Sequence, residues 1–160
     1  FEQWVDEFST KLDENNKVIF IEYIENAVLL DDAGVEQESK GLDFLRTIHK
    51  EPAANWKQCS IHTYANKHDS GDDSKCIRGN YPHIGWDYSP TDDVFYPVKP
   101  YDSWVWYADE WNWNSNPHVN TLEDLTDEEL AAGTLYRWND SSLQWEKKHK
   151  DDPIEYPPNT

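Results

Sequence analysis

The feature that most restricts the fold is a recurrence in the C-terminal half. An aromatic residue, one intervening residue and a second aromatic are followed by a polar turn and then an apolar or aromatic pair. The pattern occurs at Trp86 and Tyr88, the turn Ser89 to Asp93, then Val94 and Phe95; at Trp104 and Trp106, the turn around Ala108 to Glu110, then Trp111 and Trp113; and at Tyr136 and Trp138, the turn Asn139 to Ser142, then Leu143 and Trp145. Period-two alternation puts the two aromatics of a strand on one face, so each unit reads as a β-hairpin. Cross-strand aromatic pairs contribute about 0.2–1 kcal/mol each, and an isolated hairpin is marginal, so the three must find partners. Pro90, Pro97, Pro100 and Pro117 punctuate the strands and keep them short.

The N-terminal half follows different rules. Phe1, Trp4, Val5 and Phe8 have helix-like spacing, which predicts a short amphipathic helix or arm. Ser9 to Leu12, the turn Asp13 to Asn16 and the β-branched run Val18 to Ile24 read as a hairpin whose second strand is central and buried. Val28 to Leu30 suggests a third short strand. From Glu36 to His49, Leu42, Leu45 and Ile48 recur at helical steps with Phe44 alongside, and Pro52 is expected to end that helix. Residues 56–81 read as a long mobile polar loop with an acidic tip at Asp69 to Ser74. In the insertion Thr121 to Ala132, Thr126 and Glu129 have capping-box spacing, which predicts a short solvent-facing helix containing Leu130.

The expected fold is therefore α+β, mainly β: antiparallel hairpins forming a small sheet with one packed helix, plus an aromatic-rich hairpin repeat region. The expected organisation is an arm over 1–9 and a single domain over 10–150. Within that domain a hairpin, strand and helix half covers 10–55, a polar loop 56–81 and an aromatic hairpin half 82–150, and a Pro-rich tail follows over 151–160. A chain of 160 residues can bury such a core without metals or disulfides.

Charge narrows the partners. With 14 Lys plus Arg against 32 Asp plus Glu the formal charge is −18, which disfavours nucleic acid and anionic membrane surfaces. Nine Trp, nine Tyr and five Phe supply the aromatic surface that a disordered acidic chain lacks. No segment has the length of apolar sequence that spans a bilayer, and no basic-then-apolar signal opens the chain, so a soluble protein is expected. Because the first residue is Phe1 and not Met, a preceding segment of unstated length is expected.

Candidate chemistry is sparse. Cys59, His62, His68 and Cys76 are a chemically acceptable zinc set, although their spacing is not that of a finger; a Cys59 to Cys76 disulfide and two unbridged thiols are the alternatives. Asp69 to Asp73 invites a calcium-loop reading but lacks the spaced ligands ending in Glu. The adjacent pairs Asp31 with Asp32, Asp72 with Asp73 and Asp92 with Asp93 fall on turns, where solvated acids are the rule and two carboxyls do not face each other across a cleft. No Gly-rich phosphate loop, G-x-S-x-G elbow or H-E-x-x-H helix occurs, so no catalytic residue and no cofactor are expected. Trp104, Trp106, Trp111 and Trp113 are candidates for a sugar-stacking or partner-binding platform, with core packing the competing role.

Several segments resemble a family of small virion-associated proteins of marine tailed bacteriophages, notably cyanophages. They are Lys11 to Val18, Asn26 to Glu36, Gly41 to Leu45, Trp56 to Cys59, Arg78 to Tyr81, Ile84 to Tyr88, Val94 to Tyr101 with Ser103 and Trp104, and Leu135 to Trp138 with Trp145 and Glu146. Their order covers about residues 10 to 147. The resemblance implies a non-enzymatic particle component assembled in the host cytoplasm. Its partners would be capsid or other virion proteins, and it would be present in multiple copies. An exterior capsid decoration is the leading expectation. The alternatives are a neck or tail accessory protein and a glycan-binding module for cell-surface adhesion; a DNA-mimic inhibitor is suggested by charge alone. Phe1, Trp4 and Phe8 are the expected attachment residues, since terminal arms that order on a partner cover much surface.

Overall fold

The computed structural model describes residues 7–115 and 122–154. The fold is α+β and mainly β, and its sheets with a registered pairing are all antiparallel. Contacts divide the chain into two compact units, Phe1–Val98 with Ala108–Asn112, and Lys99–Tyr107 with Trp113–Thr160.

The first unit is built on a three-stranded sheet, order β2-β1-β3, from β1 (Glu7–Leu12), β2 (Val18–Ile24) and β3 (Asn55–Ser60). The β1–β2 turn closes because Asp13 Oδ1 accepts the Asn15 and Lys17 N–H groups at 2.8 and 2.9 Å, while Asn16 takes a left-handed φ of 61°. The hairpin forms as expected, but its first strand is the central one and β2 lies at the edge. Phe8 is a strand residue and not part of a helix or arm. Its ring meets those of Tyr23 and Tyr81, each at 5.5 Å. Phe1 and Trp4 lie outside the described residues.

Alternation gives this sheet two apolar faces. Leu12, Val18, Cys59, Tyr88 and Phe95 cluster on one, joined by Phe8, Ile21, Tyr81 and Trp86. On the other, Ile24, Leu29, Leu45 and Trp56 pack under the helices. The expected strand at Val28 to Leu30 is instead a single helical turn, α1 (Asn26–Leu29), which delivers Leu29 into this second cluster. It leans on α2 (Glu38–Ile48) at Gly41, where a Cβ would sit 2.4 Å from Leu29 Cδ2; glycine is what lets the two approach. The helix ends before Pro52: His49 N–H caps back to the Leu45 carbonyl, and Lys50 then turns to φ 55°.

Residues 56–81 are the largest departure from expectation. A polar segment with no periodicity reads as loop, yet it contains β3, a two-residue hairpin of β4 (Thr63–Tyr64) and β5 (Lys67–His68), and a 3-10 turn over Asp73–Lys75. Its far end carries polar groups that fasten the unit. Arg78 donates from Nη1 to the Gln58 carbonyl at 3.0 Å, from Nη2 to Glu38 Oε2 at 3.1 Å and from Nε to Asp93 Oδ1 at 2.8 Å. Asn80 is fully buried, accepts Ala65 N–H at 2.8 Å, and donates to the carbonyls of Phe95 and Trp111 at 2.9 and 3.0 Å. Gly79 between them has φ 73°, and a Cβ there would lie 3.1 Å from the Trp111 ring, so the position needs glycine twice over.

All three aromatic hairpins form: β6 (Asp87–Ser89) with β7 (Val94–Tyr96), β8 (Val105–Tyr107) with β9 (Asn112–Asn114), and β10 (Thr134–Asn139) with β11 (Gln144–His149). Each turn ends on a non-glycine left-handed residue, Asp93, Trp111 and Leu143, at φ 54°, 49° and 54°. The recurrence in sequence is thus also a recurrence of backbone. Ahead of β10, α3 (Asp127–Ala131) carries the expected capping box between Thr126 and Glu129 and exposes Leu130. Past β11, Arg137 gathers the carbonyls of Lys150, Asp152 and Pro153, so the first part of the tail is tied to its own hairpin.

Replacing Asn80 with Ala takes a partner from the buried Phe95 carbonyl and from the part-buried Ala65 N–H and Trp111 carbonyl, each unmet group costing about 1–3 kcal/mol. Asn80→Ala is expected to lose about 3 kcal/mol in urea denaturation; a loss below about 1 kcal/mol would contradict the role assigned to this side chain.

Candidate functional site

The densest aromatic assembly lies in the second unit. Trp138 and Trp145 face each other in register across β10 and β11, their ring centroids 5.6 Å apart. Trp104 completes a triangle at 6.3 Å from Trp138 and 6.2 Å from Trp145, and Tyr101 adds a fourth ring 5.5 Å from Trp104. These separations are those of rings in mutual contact, which leaves no slot between them for a ligand. Polar groups pin the cluster. Asp140 accepts the Ser103 hydroxyl and, at 3.0 Å, Trp138 Nε1–H; these bonds, Ser103's first, hold its carboxyl below the ordinary value. Trp145 Nε1–H donates to Ser115 Oγ at 3.0 Å, whereas the shielded Trp104 Nε1–H has no partner among the described residues.

The four tryptophans singled out as a platform have different neighbours among the described contacts. Trp104 belongs to the Trp138 and Trp145 cluster. Trp106 and Trp113 form their own edge-to-face pair at 5.1 Å, and Lys99 Nζ stands 5.2 Å from the Trp113 centroid. Trp111 sits at the turn, against Gly79 in the first unit. Trp106, Trp113 and Lys99 are half-buried.

The thiols and imidazoles are likewise dispersed. Cys59 is fully buried beside Thr10 Oγ1 at 3.1 Å, no disulfide joins it to Cys76, and burial followed by Asp73 and Asp72 pushes the Cys76 thiol up. His62 and His68 do come together, ring centroids 5.7 Å apart. Their Nδ1 atoms are bonded to Asp69 Oδ2 at 2.5 Å and Ser70 Oγ at 2.8 Å respectively. The bond to His62 leads the effects that hold Asp69 below its usual value. Among the described residues no group of three or more His, Cys, Asp or Glu is arranged to hold a metal ion. The acidic tip closes its own turns: Asp72 accepts from Ser74 N–H and hydroxyl, and Asp73 accepts His68 N–H.

Sequence reasoning passed over the residues with the most demanding environment, Glu38, Arg78 and Asn80. Arg78 to Tyr81 stood out only as a segment of resemblance. The available signal was an Arg and an Asn flanking a glycine within apolar surroundings that call for satisfied polar groups. Around Arg78, burial alone would raise the Asp93 carboxyl, yet the Tyr88 hydroxyl and the guanidinium hold it below its ordinary value. Burial and the 2.5 Å bond to Asp93 push the Tyr88 phenol up to about 12.

No family model, curated protein or solved structure matches this chain. Among the described residues no helix is long and apolar enough to cross a membrane.

If the Trp104 cluster is core, truncation must destabilise it. Trp104→Ala is expected to cost about 3 kcal/mol and to lower the thermal midpoint of the full chain; an unchanged midpoint would assign Trp104 to an outer face.

Proposed function

We propose that this chain is a non-enzymatic structural or accessory component of a tailed-phage virion, carried on the outside of the capsid. What supports the reading is the resemblance expected from the sequence over residues 10 to 147, whose segments include residues on which the fold rests. Arg78, Gly79, Asn80, Trp56, Cys59, Tyr88, Trp104, Trp138 and Trp145 all fall within them.

Charge placement supports the exterior. Carboxylates such as Asp13, Asp31 and Asp72 cap turns through backbone N–H groups and remain at the surface, so acidity is built into the turns of the fold. A surface of this kind repels its neighbours and the packaged genome alike, which suits an outer position and opposes an internal one. Because Phe8 belongs to the central strand, attachment through the N-terminus falls to the residues before β1.

Quantitative mass spectrometry of purified particles tests the proposal. Copy number on the scale of the capsid shell is expected; a number on the scale of a single ring would move the protein to the neck or tail, and its absence from particles would overturn the virion reading.

A further inference from the structure

The two edges of the three-stranded sheet are treated differently. At β3 the Gln58 N–H is taken by Glu38 Oε1 at 2.9 Å and the Gln58 carbonyl by Arg78 Nη1 at 3.0 Å, so an ion pair stands where a further strand would bond. At β2 only the start is occupied: Val18 donates to the Trp86 carbonyl at 2.9 Å and accepts from Gly85 N–H at 2.8 Å. The register then slips by one residue at Ile19. Beyond it the backbone groups that face away from β1 belong to Ile21 and Tyr23, on the same face as Val18, and no described residue bonds to them.

This open stretch is also apolar. Ile19, Phe20 and Tyr23 are 45%, 44% and 51% exposed. The single charge, Glu22, is bonded to His49 of its own molecule. In a chain of net charge −18, an unblocked strand edge with no free charge is the kind of feature that soluble proteins otherwise protect with lysine, proline or a covering element.

We propose that the β2 edge pairs with the β2 edge of a second copy of this chain, antiparallel about a two-fold axis at Ile21, joining two three-stranded sheets into one. A basic partner is disfavoured because the strip offers no unengaged carboxylate. A second copy matches it, since an isologous contact sets apolar residues against apolar residues. Charge also fixes the register. An axis at Glu22 would set two carboxylates directly opposite each other, whereas an axis at Ile21 sets Glu22 opposite Phe20 and Ile19 opposite Tyr23 of the second copy. The two acidic bodies repel, so association strengthens when salt screens them.

Sedimentation velocity of the full chain, over a concentration series at low and high salt, tests this directly. A dimer that grows with protein concentration is expected, its association constant rising about tenfold from low to high salt. Tyr23→Lys and Ile19→Lys, both at exposed positions, are expected to remain monomeric with an unchanged circular dichroism spectrum. A wild-type chain that stays monomeric throughout, or lysine variants that dimerise as wild type does, would overturn the proposal. In a Cys76→Ser background, Ile21→Cys is expected to cross-link two copies under mild oxidation and Glu22→Cys is not. Failure of the first, or cross-linking through Glu22→Cys instead, would overturn the axis even if a lysine variant failed to fold.

Discussion

The Arg78 guanidinium bonds Glu38 on α2, the Gln58 carbonyl on β3 and Asp93 in the β6–β7 turn, so one side chain joins the helix layer, the sheet edge and the hairpin that covers the sheet's other face. Its own backbone carbonyl accepts Phe95 N–H at 3.0 Å, which brings β7 to the same point. Two residues on, Asn80 satisfies three backbone groups that the covering hairpin and its neighbours leave inside. An unpaired buried charge or amide is expensive, so none of these elements can move without exposing or stranding a partner. The apolar clusters supply the driving force on each face of the sheet, and this short polar segment fixes which elements cover them.

Local rules explain most of what the sequence made legible. The three hairpins, the body of α2 and the capping box at Thr126 and Glu129 each depend on residues within a turn or two of one another. Each appears where its pattern placed it. Long-range pairing explains what was not legible. β3 carries Trp56 and Cys59 inward, but its outer polar groups are met by Glu38 and Arg78, so its sequence reads as a polar loop. The Val18 to Ile24 run looked central because nearly every residue is apolar or aromatic, yet β1, with its Ser9, Thr10 and Lys11, holds the middle. Ser9 and Thr10 are almost fully buried there, and Thr10 meets the Cys59 thiol.

The aromatic residues divide along the same line between pattern and placement. Alternation identified the strands that carry Trp106, Trp113, Trp138 and Trp145, but not which rings would meet. Trp104 is drawn into a cluster with Trp138 and Trp145 from more than thirty positions away in the chain. Trp111, at the left-handed end of its turn, packs instead on Gly79. Some of the acids, in contrast, stay where turn chemistry puts them, as at Asp13, Asp31 and Asp72.

A double-mutant cycle on Arg78 and Glu38 tests most directly whether this polar segment governs the fold. Arg78→Met, Glu38→Gln and the double variant would be compared with wild type by equilibrium urea unfolding. A coupling energy of about 1.5 kcal/mol or more, with each single variant clearly destabilised, is the result the account expects. Additive effects, with coupling near zero, would show that helix, sheet and hairpin hold together without the ion pair and would contradict it.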